Sequence, residues 1–214
     1  MGRSLRVVCI SDTHNRHKKV EVPDGDLLIH AGDLTSKGRL SSIKQVDKWL
    51  GKLPHEHKII IAGNHDFGFQ QEPEEARSLI TNAIYLEDEE VAIEGLRIYG
   101  SPWQPWFFNW AFNLHRGEEI REKWDLIPEG IDILVTHGPP WGHNDRTSRG
   151  EIVGCQDLLD AVHRVKPKYH IFGHIHEDHG ISEDGVTTFI NASICTLEYK
   201  PTQSPIVFEI EVPS

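Results

Sequence analysis

Short, nearly unbroken runs of apolar residues recur along the chain. Runs with so few polar interruptions are typical of strands that are buried on both faces of a sheet. They lie at residues 5–10, 27–30, 58–62, 131–136 and 169–172. We predict a β-strand at each of these five positions.

The segments between these runs carry apolar residues at helical spacing. In residues 40–53, the side chains of Ile43, Val46, Trp49 and Leu50 fall on one face of a helix. Comparable stripes predict helices at residues 73–80, 118–124 and 153–165. Strands and helices therefore alternate over most of the sequence.

The pattern changes towards the end of the chain, where strands dominate. We predict strands at residues 185–191 and 206–212, and a hairpin over residues 91–99 that turns at Glu94 and Gly95. Alternating strands and helices followed by a strand-rich end indicate an α/β fold, with a pair of mixed sheets inside and helices outside. No repeat or linker interrupts the pattern, so we expect one domain over residues 1–214.

Composition excludes several classes of protein. With 38% hydrophobic and 26% charged residues, the chain is neither collagen-like nor strongly disordered. Its 22 Lys and Arg against 33 Asp and Glu give a net charge of -11, which argues against bulk binding of nucleic acid or anionic membranes. Three widely spaced cysteines favour a reducing compartment. No apolar run approaches the roughly 20 residues that cross a bilayer, so we expect a cytoplasmic protein and leave its oligomeric state open.

Polar residues directly follow each of the five predicted strands. Because ligands of α/β sheets bind at the carboxyl ends of the strands, these clusters are expected to converge on one crevice. Glycine precedes the polar residues in three clusters, where it permits a sharp exit from the strand. The clusters are Ser11-Asp12-Thr13-His14, Gly32-Asp33, Gly63-Asn64-His65-Asp66, Thr136-His137-Gly138 and Gly173-His174-Ile175-His176.

Seven side chains in these clusters are of types that bind metal ions. Nitrogen and oxygen donors without a thiolate suit manganese, iron, zinc, cobalt or magnesium. Seven ligands are too many for one open catalytic ion but suffice for two, if one carboxylate bridges them. Two ions about 3.5–4 Å apart form the usual clamp for displacement at phosphorus. The seven candidates are Asp12, His14, Asp33, Asn64, His137, His174 and His176.

In content and order, the five clusters resemble the five motifs of the calcineurin-like metallophosphoesterase superfamily. A narrower resemblance is to its small, brain-type "metallophosphoesterase domain-containing" subgroup. Some members of that subgroup have lost a histidine of the last motif, whereas this chain has both His174 and His176. The resemblance therefore implies a catalytically complete site. The narrower resemblance is carried by Cys9-Ile10-Ser11-Asp12-Thr13-His14, Ile98-Tyr99-Gly100-Ser101-Pro102-Trp103, Thr136-His137-Gly138-Pro139-Pro140 and Ile190-Asn191-Ala192-Ser193.

The resemblance also implies a fold and a division of roles. The implied fold is a two-sheet mixed β-sandwich flanked by helices, in four α/β/β/α layers. One metal would be held by Asp12, His14 and His176. The second would be held by Asn64, His137 and His174, with Asp33 bridging the two ions. His65 would contact the phosphate or act as the general acid, and Asp66 would orient it.

The activity expected from this site is metal-dependent hydrolysis of a phosphoric ester. We expect a phosphodiesterase for small phosphodiesters or nucleotides, with two divalent ions, manganese first among them. Cyclic nucleotides enter as a substrate class through the resemblance alone. A phosphomonoesterase, including a protein phosphatase, is the alternative with the same site. A non-catalytic scaffold is less favoured, because His65 and all seven candidate ligands are present.

Residues near the clusters predict contacts to the substrate. Asn15 and Arg16 follow the first cluster, and His143 and Arg149 lie on the loop after His137. Trp103 begins an aromatic segment that could stack on a nucleobase. The alternatives are that this segment packs on the core and that the other four residues lie on solvated loops. The aromatic residues are Trp103, Trp106, Phe107, Phe108, Trp110 and Phe112.

Overall fold

Strands and helices follow one another along residues 3–213, the part of the chain that the computed structural model describes. The strands are β1 (Ser4–Ile10), β2 (Leu27–His30), β3 (His57–Ile60), β4 (Ile84–Tyr85), β5 (Glu89–Ile93), β6 (Leu96–Ser101), β7 (Gln104–Pro105), β8 (Asn113–Leu114), β9 (Ile133–Thr136), β10 (Tyr169–Phe172), β11 (Gly180–Glu183), β12 (Thr188–Asn191) and β13 (Ile206–Glu211). The α-helices are α1 (Leu40–Leu50), α2 (Phe67–Gln71), α3 (Pro73–Ser78), α4 (Glu118–Trp124) and α5 (Gln156–Val165). Two 3₁₀ turns span His17–Lys19 and His176–Asp178.

Two mixed sheets hold most of the strands. The first has the order β13-β1-β2-β3-β4, and only β13 runs antiparallel to its neighbour. The second has the order β11-β12-β10-β9-β6-β5, with a parallel centre and an antiparallel strand at each edge. Strands β7 and β8 pair separately. The predicted α/β class with two mixed sheets is therefore confirmed.

Alternation along the strands builds three apolar layers. In β1, the side chains of Leu5, Val7 and Cys9 enter the core between the two sheets, whereas Val8 and Ile10 point to the opposite face. Successive side chains of a strand lie on opposite faces, so one apolar strand can serve two cores. Helix α1 covers the outer face of the first sheet, and α4 and α5 cover that of the second. The result is the expected α/β/β/α arrangement.

Most predicted elements are present, several of them with shorter bounds. Strand β10 and helix α4 coincide with residues 169–172 and 118–124. Helix α5 begins only at Gln156, because the extended backbone of Cys155 pairs with Pro140. The hairpin turns at Glu94 and Gly95 as predicted, with positive φ at both residues.

The predicted strand at residues 185–191 is shortened at its start by a turn. The Asp184 carboxylate accepts hydrogen bonds from the backbone N–H of Val186 and Thr187, both at 2.8 Å. These bonds turn the chain, so β12 begins at Thr188, and the preceding β11 was not predicted. None of the described helices has the length and apolar character needed to cross a membrane.

The two sheets meet at the edge where their parallel strands end. Ser11 beyond β1 bridges to Ser193 beyond β12, and Ile194 N–H donates to the Ser11 carbonyl at 2.9 Å. Within the second sheet, Gly173 N–H donates to the His137 carbonyl, also at 2.9 Å. These bonds tie the loops of both sheets together where the predicted polar clusters lie.

Candidate metal centre

The polar clusters leave their strands through an unusual backbone conformation. Asp12, His14, Asp33 and His174 all have a positive φ, between 43° and 67°. Such left-handed conformations are uncommon for residues other than glycine, and they concentrate at functional sites. The sharp turns bring the side chains together at the junction of the two sheets.

One set of potential metal ligands, called donors below, is formed by Asp12, His14 and His176. The Nε2 atoms of the two histidines face each other at 3.2 Å. The Oδ1 atom of Asp12 lies 3.4 Å from Nε2 of His176 and 3.9 Å from Nε2 of His14. Three potential ligand atoms thus converge, two from the first sheet and one from the second.

A second set is formed by Asn64, His137 and His174. Oδ1 of Asn64 lies 2.9 Å from both Nε2 of His137 and Nδ1 of His174. Asn64 follows β3 of the first sheet, and the histidines follow β9 and β10 of the second. This set again combines residues from both sheets.

Asp33 lies between the two sets. Its Oδ2 atom is 3.7 Å from Nε2 of His14 and 3.5 Å from Nε2 of His137. Its Oδ1 atom accepts a hydrogen bond of 2.8 Å from the backbone N–H of His65. One oxygen is therefore fixed by the backbone, and the other faces both sets.

The buried charges shift several pKa values. Burial alone would raise the pKa of Asp12 and of Asp33, but the surrounding imidazoles outweigh it and hold both values below their usual range. For His137, burial opposes the charged form, yet Asp33 and Asp12 raise its pKa to about 9. Burial lowers the pKa of His14 to about 4 and that of His174 to about 3. The two carboxylates are consequently ionised at neutral pH.

The donor set fits divalent cations. Oδ1 of Asp12 is fully buried and has no hydrogen-bond partner among the described residues. An uncompensated buried carboxylate oxygen is costly, and a metal ion would satisfy it. Backbone carbonyls also orient two of the rings, since Nδ1 of His137 lies 3.0 Å from the Ala31 oxygen and Nδ1 of His176 lies 3.1 Å from that of Thr196. This arrangement directs Nε2 of each ring towards the other potential ligand atoms, where it can bind a metal.

Two glycines permit this close packing. A Cβ atom at Gly173 would overlap the carboxylate of Asp12 and the hydroxyl of Ser11. A Cβ atom at Gly63 would overlap Asp33 and come within 2.6 Å of the His137 ring. Any side chain at these positions would therefore displace a donor.

The imidazole of His65 is oriented by a backbone carbonyl. Its Nδ1 lies 3.0 Å from the Ser36 oxygen, and because a carbonyl only accepts, Nδ1 carries a proton. Its Nε2 lies 3.9 Å from Oδ2 of Asp33. The ring of Trp110 lies against His65, with centroids 4.1 Å apart. His65 is thus held at the border of the donor cluster.

The prediction that Asp66 orients the His65 ring is wrong. The Asp66 carboxylate accepts four hydrogen bonds of 2.8–3.0 Å, from Leu34 N–H, Gly63 N–H, and the N–H and hydroxyl of Thr35. These N–H and hydroxyl groups belong to the loops after β2 and β3. Asp66 therefore joins the loops that carry Asp33 and Asn64. Burial, with the charge of Asp33, raises the pKa of Asp66 to about 6.

A cavity of about 490 Å³ opens beside the donors. This volume lies in the range typical of small-molecule sites. Its polar wall includes Asp33, Asn64, His65, His174 and His176. Its apolar wall includes Pro105, Trp106, Phe107, Leu197 and Tyr199. The cavity can therefore hold a charged group next to organic substituents.

Two of the predicted substrate residues belong to the fold instead. The indole N–H of Trp103 donates to Oδ2 of Asp88 at 2.9 Å, and Lys123 lies over the ring. His143 stacks on Phe189 with ring centroids 3.7 Å apart. Neither side chain lines the cavity. Packing partners distant in sequence thus hold both rings outside the cavity wall.

The other three predicted substrate residues are exposed and also lie outside the cavity wall. The Asn15 amide donates to the hydroxyl of Ser36 at 3.4 Å. Arg16 and Arg149 are exposed on their loops, although Thr147 and Glu151 beside Arg149 do line the cavity. Residues of the aromatic segment lie in different places. Phe112 is buried in the core, whereas Trp106 and Phe107 form part of the cavity wall.

Several cavity residues were not predicted from the sequence, among them Arg116, Leu197 and Tyr199. Arg116 follows the aromatic segment and donates to the carbonyls of Val153 and Gly154 at 2.7 and 2.8 Å. Leu197 and Tyr199 lie more than twenty residues after the last motif. The one sequence signal in that segment is Pro201, which indicates a turn but not a cavity wall.

Comparison with known proteins places this chain among phosphoesterases. The sequence model of the calcineurin-like phosphoesterase family matches residues 5–178. Metallophosphoesterase domain-containing protein 1 of Homo sapiens is 50% identical over 97% of this chain and 72% of its own length, and the protein of the same name in Mus musculus gives the same values. Among solved structures, TT1561 of Thermus thermophilus matches 99% of this chain and 100% of its own with a TM-score of 0.63. At 12% identity, that last likeness concerns the fold alone.

Substitution of Gly173 tests whether close packing is needed to hold Asp12 in place. We expect Gly173→Ala to displace the Asp12 carboxylate and to weaken Mn²⁺ binding by about 10- to 100-fold. Calorimetric titration of the metal-free protein measures this affinity. Gly138→Ala is the matched control, because its methyl group would meet Gln104 Cβ at an ordinary 3.6 Å. Equal affinities in the two variants would contradict the packing argument.

Substitution of Asp66 separates its structural role from that of His65. An amide in Asp66→Asn leaves one pair of buried donors without an acceptor, so we expect the free energy of unfolding to fall by about 3 kcal/mol. Urea denaturation of the metal-free protein measures this change. Asp125→Asn, at an exposed position, serves as the control and should leave stability unchanged. Unaltered stability of Asp66→Asn would mean that the loops do not depend on this carboxylate.

Proposed function

The chain belongs to the calcineurin-like phosphoesterase family, and from this premise we propose that it is a dinuclear-metal phosphodiesterase for small phosphodiesters such as cyclic nucleotides. One observation carries the proposal: two sets of three donors converge at the junction of the sheets, and Asp33 faces both. Such a paired site suits displacement at phosphorus better than it suits a single structural ion.

The residues that would hold the two ions follow from the donor sets. Asp12, His14 and His176 would bind the first ion, Asn64, His137 and His174 the second, and Asp33 both. Nitrogen and oxygen donors without thiolates are compatible with manganese, our first choice, and with iron, zinc, cobalt or magnesium. When bound, two such ions lower the pKa of a coordinated water and offset the negative charge of a phosphate.

His65 is the proposed proton donor for the leaving group. With Nδ1–H bonded to the Ser36 carbonyl, the protonated ring presents Nε2–H on the side of Asp33 and the cavity. A proton delivered from Nε2 to the departing oxygen would allow this oxygen to leave as a neutral alcohol rather than as a poor alkoxide leaving group. Trp110 packs against the ring and limits its rotation, which keeps Nε2 directed at the cavity.

The cavity supports a small ester as the substrate. Its polar wall adjoins the donor sets, and its apolar wall offers surfaces for organic substituents. The aromatic rings of Trp106 and Phe107 are 52% and 46% exposed, so they remain available to a ligand. A nucleobase is one group that such rings accept by stacking.

The activity is tested with a chromogenic diester and monoester side by side. The protein is incubated with Mn²⁺ and either bis-p-nitrophenyl phosphate or p-nitrophenyl phosphate, with a chelator control. We expect chelator-sensitive turnover that favours the diester and justifies a screen of cyclic nucleotides. Preference for the monoester would support a phosphatase instead. Turnover of neither ester by protein with two bound ions would contradict the proposal.

Substitution of His65 tests its role in proton transfer. We expect His65→Ala to retain both ions and to lose about 10²- to 10³-fold in kcat, because only the proton donor is removed. Metal analysis and steady-state kinetics are measured on the same preparation. His163→Ala, at an exposed position late in α5, is the control and should match the unmodified protein. Loss of an ion from His65→Ala would instead make His65 a ligand, since its Nε2 lies near Asp33.

A further inference from the structure

Tyr199 lies against the donor cluster although it belongs to no motif. The centroid of its ring is 4.7 Å from that of His14 and 5.4 Å from that of His176, and it meets both edge to face. The ring of His65 is 6.2 Å away. Tyr199 lines the cavity and is 38% exposed, so one face of it remains open to a ligand.

The turn that carries Tyr199 is bonded to the first donor set. Tyr199 N–H donates to the Thr196 carbonyl at 2.8 Å, and that carbonyl also accepts the Nδ1–H of His176 at 3.1 Å. The side-chain amide of Gln203 donates to the His176 carbonyl at 3.1 Å. These few bonds thus fix the turn of Tyr199 to the segment that carries His176.

The backbone of Tyr199 is also strained. Its φ of 57° lies in the left-handed region, which bulky side chains rarely adopt. Such strain persists only where surrounding bonds determine the conformation, and it is concentrated at functional sites. Placement of this ring over His14 and His176 is therefore maintained against a local energetic cost.

The cavity consequently has an apolar wall at each donor set. Tyr199 and the half-exposed Leu197 border the set of Asp12, His14 and His176. Phe107 borders the other set, where its ring meets that of His174 edge to face at 5.6 Å. A phosphomonoester has one organic substituent and needs one such wall. A phosphodiester has two substituents, and both need a place to lie.

We propose that Tyr199 is a specificity-determining residue, whose ring supports the second organic substituent of a diester and so favours diesters over monoesters. This inference rests on the proposed phosphoesterase activity. The ring supplies the contact surface, so phenylalanine should replace tyrosine with little loss. Leu197 extends the same wall and should contribute in the same direction, with a smaller effect.

The test compares both esters across a short series of variants of the manganese-loaded full chain. In Tyr199→Ala, kcat/KM for bis-p-nitrophenyl phosphate should fall about tenfold, mainly through KM, while that for p-nitrophenyl phosphate changes less than about twofold. Tyr199→Phe should stay within about twofold of the unmodified protein for both esters, and Leu197→Ala should lose about threefold for the diester alone. Phe108→Ala is the matched control, because Phe108 is also an exposed aromatic residue with positive φ but does not line the cavity.

Binding provides a readout that does not depend on turnover. Calorimetry should show weaker binding of diphenyl phosphate to Tyr199→Ala than to the unmodified protein, with equal binding of inorganic phosphate and equal metal content. If kcat/KM of Tyr199→Ala fell equally for both esters, or if this variant lost bound metal, Tyr199 would have a structural role and the inference would be overturned. Equal losses in Tyr199→Phe and Tyr199→Ala would do the same, because the hydroxyl would then be the active group. Turnover of neither ester by the unmodified protein would overturn the proposed function, and this inference with it.

Discussion

Two ionised carboxylates buried at the junction of two sheets impose the main constraint on this molecule. Asp12 and Asp33 are 0% and 1% exposed, and isolated buried charges of this kind are strongly destabilising. Each is handled in the same way. One oxygen accepts a backbone N–H, from His174 for Asp12 and from His65 for Asp33, and the other oxygen faces the imidazoles. A backbone N–H thus stabilises one oxygen of each carboxylate, and the proposed metal ions would stabilise the other oxygen.

The strained loops follow from this constraint. Side chains on regular strands alternate between faces, so a strand alone cannot direct several donors to one point. Positive φ at Asp12, Asp33 and His174 turns each side chain back towards the junction, and Gly63 and Gly173 leave room for the carboxylates to approach. Asp66 joins the loop that carries Asp33 to the loop that carries Gly63 and Asn64, with four hydrogen bonds. Strain near the donors is therefore supported by buried bonds just outside them.

The sequence predicts the donors better than it predicts the cavity. Each donor follows its own strand within a few residues, so local patterns suffice to find Asp12 or His137. The cavity wall instead brings Phe107 together with Tyr199, which lie far apart in the chain. Aromatic residues also look alike in a sequence: Trp103 is bonded to Asp88 inside the fold, whereas Trp106, three residues later, faces the cavity. The error at Asp66 has a similar origin, because adjacency to His65 does not reveal that Leu34 and Thr35 supply its partners.

The distribution of donors between the sheets gives metal binding a structural consequence. In the first proposed set, Asp12 and His14 come from one sheet and His176 from the other, and in the second set Asn64 faces His137 and His174 across the same junction. Neither sheet holds a complete set by itself. A ligand that binds only the folded form stabilises that form in proportion to its affinity and concentration. On the proposed assignment, the ions would link the two halves of the sandwich as well as supply the chemistry, so that stability and activity would depend on the same seven side chains.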